Sequence, residues 1–264
     1  MRHGLARWVL LGFVGGLRLL PFDLACALGA GLGRVIGLLA RRDTGRIRRA
    51  LAHLDEPPSV GACWADLGRR FVEFALAERA LKRVEADLQA FEAALEQKCG
   101  VLVCTCHLGN WELLGACFAA HGYDTHSLSA RDQGGPLYRW LREHRASLGV
   151  FTHPPGGGAR SFFERSEAGM ATGILVDQRT EEPSQMVSFL GETAPTPTTA
   201  EYLVGRSGAV PVFAWIVREG RRFRVQTALE SSTPGLTERL TVRVEALVEA
   251  HPSQWIWLHD RWGP

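Results

Sequence analysis

The sequence predicts an α/β fold, in which a mostly parallel central sheet is flanked by helices and preceded by a helical N-terminal region. From residue 101 onward, short apolar runs alternate with segments of helical periodicity, which is the pattern of βαβ units. Before residue 100 the pattern is helical throughout and begins with two apolar segments, Leu5 to Leu17 and Leu24 to Ala40. The change near residue 100 need not separate independent domains.

The N-terminal region has the character of a membrane-associating segment. Neither apolar segment reaches the roughly 20 residues of a spanning helix, and no clear cleavage site follows them, so a signal peptide is a poor fit. Residues 41–49 then contain five arginines and one aspartate. Apolar helices followed by basic residues indicate attachment to an anionic membrane surface, lying on the bilayer rather than crossing it. A hydrophobic hairpin packed on the core is the alternative.

Residues 1–58 form the predicted N-terminal helical membrane-associating region, and Pro57-Pro58 ends it. Residues 59–264 form the predicted α/β domain, with a helical lead-in at 59–99 and a βαβ core at 100–264. The lead-in is predicted as two helices, Val60 to Lys82 and Glu85 to Lys98. In the core, strands are predicted at 101–106, 150–152, 173–176, 210–217 and 222–227, and helices at 111–121, 134–148, 160–168, 196–207 and 236–250.

Composition narrows the range of functions. A net charge of +2 is too small to indicate nucleic acid as a partner, and 46% apolar with 22% charged residues is typical of a globular chain. The six cysteines form no CxxC pair, which favours a reducing compartment over a disulfide scaffold. Cys104, Cys106 and His107 lack a fourth ligand at suitable spacing, so we predict no metal site.

His107 and Glu112 carry the main chemical signal. Val101 to Cys106 is typical of a buried strand, Gly109 permits a tight turn, and Asn110 is a good helix N-cap. His107 is therefore predicted at the carboxyl end of a strand, where open α/β sheets bind ligands. With Glu112 in the first helical turn the two side chains can converge, and a carboxylate that orients one ring nitrogen leaves the other free to take a proton. The alternative is a loop histidine and a glutamate that only complements the helix dipole.

Other polar residues are predicted at the same edge of the sheet. Arg131 lies in a polar turn, Arg160 starts a helix after a Pro/Gly loop, and Asp177-Gln178 ends a strand. Several such groups beside a histidine indicate a pocket for phosphate or for an anion formed during reaction. Cys106, next to His107, could be interpreted as a thiol nucleophile. Adjacent residues of a strand point to opposite faces, however, so we expect Cys106 to pack in the core.

The C-terminus contains three tryptophans, Trp255, Trp257 and Trp262, within eight residues. Two interpretations stay open. The tryptophans form either an aromatic cap that packs the last segment onto the sheet or an interfacial belt at lipid headgroups.

Together these motifs resemble the lipid A biosynthesis late acyltransferases, the lauroyl and myristoyl acyltransferase family, within the His-x4-Asp/Glu glycerolipid acyltransferase group. The resemblance follows nearly the whole chain in order. Its motifs are Leu19-Leu20-Pro21, Arg41 to Leu54, His107-Leu-Gly-Asn-Trp-Glu112-Leu, Asp177-Gln178, Phe189-Leu190-Gly191, and Pro252 to Trp262.

The resemblance implies transfer of a fatty acyl chain from an acyl thioester to a lipid hydroxyl, with no cofactor and no covalent enzyme intermediate. His107 would be the general base and Glu112 would orient it. Arg131 looks like the family arginine that supports the oxyanion or a substrate phosphate. Arg160, Asp177, Gln178 and Asn110 complete the substrate-binding set that it implies.

The implied partners are acyl carrier protein or acyl-CoA as donor, a lipid A precursor or related glycolipid as acceptor, and the membrane surface. The implied location is the cytoplasmic face of the bacterial inner membrane. Three other functions stay open: a lysophospholipid or other lipid acyltransferase that uses acyl-CoA, a lipid or thioester hydrolase in which His107 activates water, and a non-catalytic lipid-binding scaffold. The hydrolase lacks a GxSxG elbow, although direct attack by water needs none.

Overall fold

Five helices precede the central sheet in the computed structural model. They are α1 (Arg2–Arg18), α2 (Phe22–Leu39), α3 (Arg41–Leu51), α4 (Val60–Ala75) and α5 (Ala77–Leu81). The structure describes residues 2–128, 134–153, 170–179, 183–232 and 234–263, and of residues 2–5 the backbone only. Ser59 caps α4, because its hydroxyl accepts a hydrogen bond from the backbone N–H of Ala62.

The remaining elements alternate as the sequence predicts. The strands are β1 (Val84–Ala86), β2 (Val101–Thr105), β3 (Thr125–Leu128), β4 (Val150–His153), β5 (Ala171–Leu175), β6 (Ser184–Phe189), β7 (Glu192–Pro197), β8 (Val210–Glu219) and β9 (Arg222–Leu229). The helices are α6 (Gln89–Glu96), α7 (Trp111–Ala120), α8 (Pro136–Ser147), α9 (Thr199–Ser207) and α10 (Leu236–Ala250), followed by a 3-10 turn at Pro252–Gln254.

Seven strands form one mostly parallel sheet in the order β1-β9-β8-β2-β5-β3-β4, which confirms the predicted fold class. Among the described strand pairs of this sheet, only β8–β9 is antiparallel. β2 lies between β8 and β5, with Val101 opposite both Val210 and Ala171. All five residues of β2 are buried, as expected for a strand with helices on both faces. β2 therefore ends at the middle of the sheet edge.

Three local predictions differ from the structure. The segment predicted as a helix from Glu85 begins instead with β1, because Val84–Ala86 pairs with β9, a partner far along the chain. The single helix predicted over Val60 to Lys82 is two helices, because Leu76 leaves helical geometry. No strand was predicted between residues 177 and 209, yet β6 and β7 form a hairpin there, so the helix predicted from residue 196 begins only at Thr199. The helix predicted at 160–168 falls outside the described residues.

α2 packs on α4 through glycines. Gly29, Gly33 and Gly37 recur at four-residue spacing on the buried face of α2. A Cβ atom at Gly33 would overlap the carbonyl oxygen of Trp64, and one at Gly68 would overlap the carbonyl oxygen of Gly29. The two backbones are thus in direct contact, and α2 is fixed to the body of the protein along its length.

The opposite face of α2 is apolar and exposed. Its exposed large apolar side chains are Leu24, Leu28, Leu32, Val35, Ile36, Leu38 and Leu39, with Arg34 exposed among them, and α1 adds Trp8, Val9 and Phe13. α2 is long and apolar enough to cross a membrane, yet one face of it is buried against protein. The face of α2 that packs on α4 and the face exposed on the surface are therefore both mainly apolar.

We expect Gly33→Ala to lower the free energy of unfolding by about 1–3 kcal/mol, because the added methyl group has no room between α2 and α4. Gly31→Ala, in the same helix, is the matched control, since no atom lies within 4 Å of the Cβ position there. It should stabilise the protein by about 0.5–1 kcal/mol. Urea unfolding in detergent measures both variants. Equal stability of the two would contradict the close packing.

Candidate active site

The turn after β2 has the predicted geometry. His107 follows the strand, Gly109 adopts φ +59°, and Asn110 caps α7 by accepting a hydrogen bond from the backbone N–H of Leu113. Glycine is required at position 109, because a Cβ atom there would overlap the carbonyl oxygen of Ile216 on β8. Glu112 lies in the first turn of α7, as expected. The local part of the prediction is confirmed.

The partner of His107 is Asp177, two residues beyond the end of β5. His107 Nδ1 lies 2.8 Å from Asp177 Oδ1, and the backbone N–H of His107 donates to Asp177 Oδ2 at 2.8 Å. The neighbouring parallel strands β2 and β5 end at the same edge, so their following residues meet. The side chain of His107 is 15% exposed and that of Asp177 only 1%. The carboxylate is therefore buried, whereas the imidazole is partly accessible to solvent.

The C-terminal segment completes the environment of Asp177. Trp255 Nε1 donates to Asp177 Oδ2 at 2.8 Å. The backbone of this segment also pairs with the turn: the N–H of Gly109 donates to the carbonyl of Gln254, and that of Ile256 to the carbonyl of His107. Trp255 and Trp257 are buried. The tail is therefore an aromatic cap, the first of the two interpretations, and it holds the turn and the carboxylate together.

The hydrogen bonds select the tautomer of the neutral His107 ring. Burial raises the pKa of Asp177, but the charge of His107 and the hydrogen bonds from His107 and Trp255 outweigh this effect, so the pKa lies below its usual value. An ionised carboxylate can only accept hydrogen bonds. Nδ1 of His107 must therefore carry the hydrogen, and Nε2 of the neutral ring keeps its lone pair for a proton.

Glu112 has a different partner from the one expected. Arg145 on α8 donates to it with two hydrogen bonds, Nε to Oε2 at 2.7 Å and Nη2 to Oε1 at 2.5 Å. Burial lowers the pKa of Arg145, but the hydrogen bonds and charge of Glu112 raise it above the ordinary value. The expectation that Glu112 orients His107 directly is therefore corrected: Asp177 orients the imidazole, and Glu112 fixes a guanidinium by a bidentate contact.

Asn110 also needs correction. Its amide nitrogen donates to the carbonyl of Arg70 and to Glu73 Oε2, each at 3.1 Å, and its oxygen accepts from Leu113. The residue is buried. Its polar atoms serve the cap and the contact with α4, which gives it a positioning role rather than contact with substrate.

The structure describes some of the other predicted site residues and leaves two of them outside its described ranges. Gln178 follows Asp177 at the same edge and is partly exposed. Arg131 and Arg160 lie outside the described residues. Cys106 is buried, and burial raises the pKa of its thiol well above the usual value. The expectation that Cys106 packs in the core is confirmed.

Two residues of the site were not found from the sequence. Arg145 lies in a helix with many charged residues, and nothing in its local pattern distinguishes it. Trp255 belongs to a noticed motif, but its bond to Asp177 joins residues 78 positions apart. The sequence signal for Trp255 was the cluster of three tryptophans at the C-terminus. A buried indole N–H needs a hydrogen-bond acceptor, so such a cluster indicates polar partners nearby.

A carboxylate–histidine pair lies at the carboxyl edge of an α/β sheet, and the second imidazole nitrogen has no hydrogen-bond partner among the described residues. This arrangement is suited to general acid–base chemistry. Comparison with known families identifies the chemistry. The family described as bacterial lipid A biosynthesis acyltransferase matches residues 1–263, and the chain belongs to it.

Individual relatives come from mycobacteria. The chain is similar to a phosphatidylinositol mannoside acyltransferase of Mycobacterium tuberculosis strain H37Rv, with 27% identity over 77% of this chain and 68% of the relative. It is also similar to a phosphatidylinositol mannoside acyltransferase of Mycolicibacterium smegmatis, with 26% identity over 67% of this chain and 61% of the relative. The chain thus matches about two thirds of the length of these curated relatives.

Acidification should test the buried carboxylate. Because the pKa of Asp177 is lower in the folded protein than in the unfolded chain, its contribution to stability is fully present above the unfolded value of about 4 and is lost as the pH falls through the folded value. We expect the wild type to exceed Asp177→Asn in free energy of unfolding at about pH 5, and the difference to shrink toward about pH 2.

Asp260→Asn is the control for this measurement, because Asp260 is an exposed carboxylate in the same C-terminal segment. Its difference from the wild type should be small over the same range. A difference for Asp177→Asn that stayed constant, or grew on acidification, would show that the native carboxylate is not stabilised in its ionised form.

Proposed function

We propose that this protein transfers a fatty acyl chain from an acyl thioester to a hydroxyl group of a membrane glycolipid. The observation that carries the proposal is the bond between His107 Nδ1 and Asp177, which leaves Nε2 available as a base. Membership of the lipid A biosynthesis acyltransferase family supports acyl transfer, and relatives named as phosphatidylinositol mannoside acyltransferases support a glycolipid acceptor. The donor thioester is carried by acyl carrier protein or coenzyme A.

The reaction follows from the free nitrogen. Nε2 of His107 takes the proton of the lipid hydroxyl as its oxygen attacks the thioester carbonyl. The new C–O bond forms, and the carbonyl oxygen carries negative charge in the tetrahedral intermediate. The C–S bond then breaks, and the imidazolium returns the proton to the departing thiolate. The products are a lipid ester and a free thiol, and the histidine is regenerated.

The carboxylate of Asp177 stabilises the imidazolium formed during this step, because opposite charges in contact favour the charged form of both groups. Glu112 fixes Arg145, whose guanidinium is close to the first turn of α7 and is 23% exposed. We assign this arginine, together with the expected Arg131, to the anionic groups of the substrate or the oxyanion. Gln178 and Arg160 remain expected substrate contacts.

The membrane face follows from α1, α2 and α3. Exposed apolar side chains cover the outer side of α1 and α2, and α3 adds the exposed arginines Arg41, Arg42, Arg48 and Arg49. Since the inner side of α2 contacts α4, the helix lies on the bilayer with its apolar face in the headgroup region. Thioester donors and six free cysteines fit the cytoplasmic face.

Substitutions at the dyad test the reaction. His107→Ala should abolish acyl transfer, and Asp177→Asn should lower kcat by about 10²-fold or more, because the imidazole loses its fixed tautomer. Glu112→Gln should lower kcat by a smaller factor of about 10, since it weakens one charged contact. Lipid products are measured by mass spectrometry with purified protein, a defined acyl thioester and a glycolipid acceptor.

His121→Ala is a matched control, because His121 lies at the end of α7 and its Nδ1 contacts only the carbonyl and thiol of Cys117 among the described partners. It should keep wild-type turnover. Near wild-type turnover of His107→Ala would refute the proposed base. Thioester consumption that is equally fast without any lipid acceptor would instead support the hydrolase.

Introduction of negative charge on the outer face of α2 tests membrane attachment. Leu28→Glu combined with Leu32→Glu places two carboxylates in the proposed bilayer contact, and we expect loss of sedimentation with vesicles rich in anionic lipid. Tyr202→Glu combined with Val242→Glu alters two similarly exposed apolar residues on α9 and α10 and should sediment normally. Equal sedimentation of both double variants would remove the α2 face from the proposal.

A further inference from the structure

The buried guanidinium of Arg70 has two nitrogen atoms without a hydrogen-bond partner among the described residues. Arg70 on α4 has a side chain only 6% exposed, and its Nη2 donates to Asp66 Oδ2 at 2.6 Å. Its Nε and Nη1 atoms are buried without a hydrogen-bond acceptor in the described part of the chain. Each unsatisfied buried donor costs about 1–3 kcal/mol, so the position of this side chain requires an explanation.

The guanidinium lies on an aromatic ring beside the proposed base. Arg70 Cζ is 4.9 Å from the ring centroid of Trp111, a distance at which a cation attracts the face of an indole. The ring of Trp111 lies in turn 4.9 Å from that of His107, at an interplanar angle of 68°. Arg70, Trp111 and His107 therefore form a continuous row of contacts from α4 to the catalytic turn.

Charge balance explains why a cation lies here but not how it is oriented. Arg218 on β8 binds Asp66 Oδ1 and donates to Glu73 Oε1 at 2.7 Å, so Arg70 and Arg218 together face two carboxylates. Burial raises the pKa of Glu73 despite the neighbouring guanidinium of Arg218. Arg70 contacts Asp66 through Nη2, and its Nε and Nη1 contribute no hydrogen bond to the described residues of this cluster.

The same cluster is tied to the catalytic turn from two sides. Asn110, the cap of α7, donates to Glu73 and to the backbone carbonyl of Arg70. Gln254 bonds the backbone N–H and carbonyl of Arg218, and its own carbonyl accepts from the N–H of Gly109. Any movement of the ionic cluster of Asp66, Arg70, Glu73 and Arg218 would therefore also move the turn that carries His107.

We propose that Arg70 is a positioning residue for the reaction, acting through Trp111 on the imidazole of His107. The hydrogen bond to Asp177 fixes one nitrogen of the ring, and the contact with Trp111 restricts its tilt, so that Nε2 points constantly to the substrate hydroxyl. Arg70 holds the indole in place through its face. The inference rests on the proposed role of His107 as base and adds how the orientation of that base is maintained.

Removal of the cation should lower turnover without weakening substrate binding. We expect Arg70→Met to reduce kcat by roughly 10- to 100-fold, because a small misplacement of a catalytic group is costly, with KM within about twofold of wild type. Arg70→Lys should recover most of the loss, since an ammonium can occupy the same ring face. Arg83→Met is the matched control, because Arg83 also binds an aspartate and covers an aromatic ring, Phe22, away from the site.

Substitutions of the ring test the same path. Trp111→Leu should lower kcat to a similar degree, and Trp111→Phe should lower it less, because it keeps an aromatic face. In the double variant Arg70→Met with Trp111→Leu, the loss should be close to that of either single variant, since both act through one contact. Fully additive losses, or wild-type kcat in Arg70→Met, would overturn the inference.

Folding and function are separated by two further measurements. Unfolding midpoints identify any variant that is unfolded at the assay temperature, and if Arg70→Met is unfolded, Arg70→Lys and the two Trp111 variants decide the question. Active His107→Ala refutes the proposed function itself. Inactive His107→Ala together with wild-type kcat in the Arg70 and Trp111 variants refutes only the positioning role.

Discussion

The ionised carboxylate of Asp177 is the group on which the site depends. It accepts hydrogen bonds from the backbone and ring of His107 and from the indole of Trp255, and it is almost fully buried. A buried charge is stable only when such partners surround it. The end of β5, the turn after β2 and the C-terminal segment are therefore held together by one group, which also selects the tautomer of the histidine.

Two kinds of contact hold the turn that carries His107. On one side, backbone hydrogen bonds from residues 254–256 extend the turn as a short antiparallel bridge. On the other, the side chains of α4 reach the cap of α7 through Asn110. The backbone contacts hold the path of the chain, and the contacts of Asn110 hold the start of α7 against α4. Gly109 allows the turn to approach β8 closely.

Sequence patterns predicted the features that depend on interactions between residues close together in the chain. The buried strand β2, the cap at Asn110 and the helix at Leu236–Ala250 follow from apolar runs, capping chemistry and periodicity. They did not predict pairings between distant residues: the strand at Val84–Ala86 exists because β9 lies beside it, and Glu112 turns to an arginine on another helix. The sequence predicted which residue types lie at the candidate site and at which edge of the sheet they lie. It did not predict the hydrogen bonds among them, because these bonds join residues that are distant in the sequence.

The glycine contact between α2 and α4 has a consequence for the geometry of the substrate. If α2 rests in the headgroup layer, α4 lies directly above it, closer than the roughly 8–10 Å at which helices usually pack, because the glycines let the two backbones touch. The turn that carries His107 is linked to α4 through Asn110. The glycines allow almost no variation in that spacing. On the proposed function, this fixed spacing sets the height above the acyl chains at which an acceptor hydroxyl reaches His107, whichever sugar carries it.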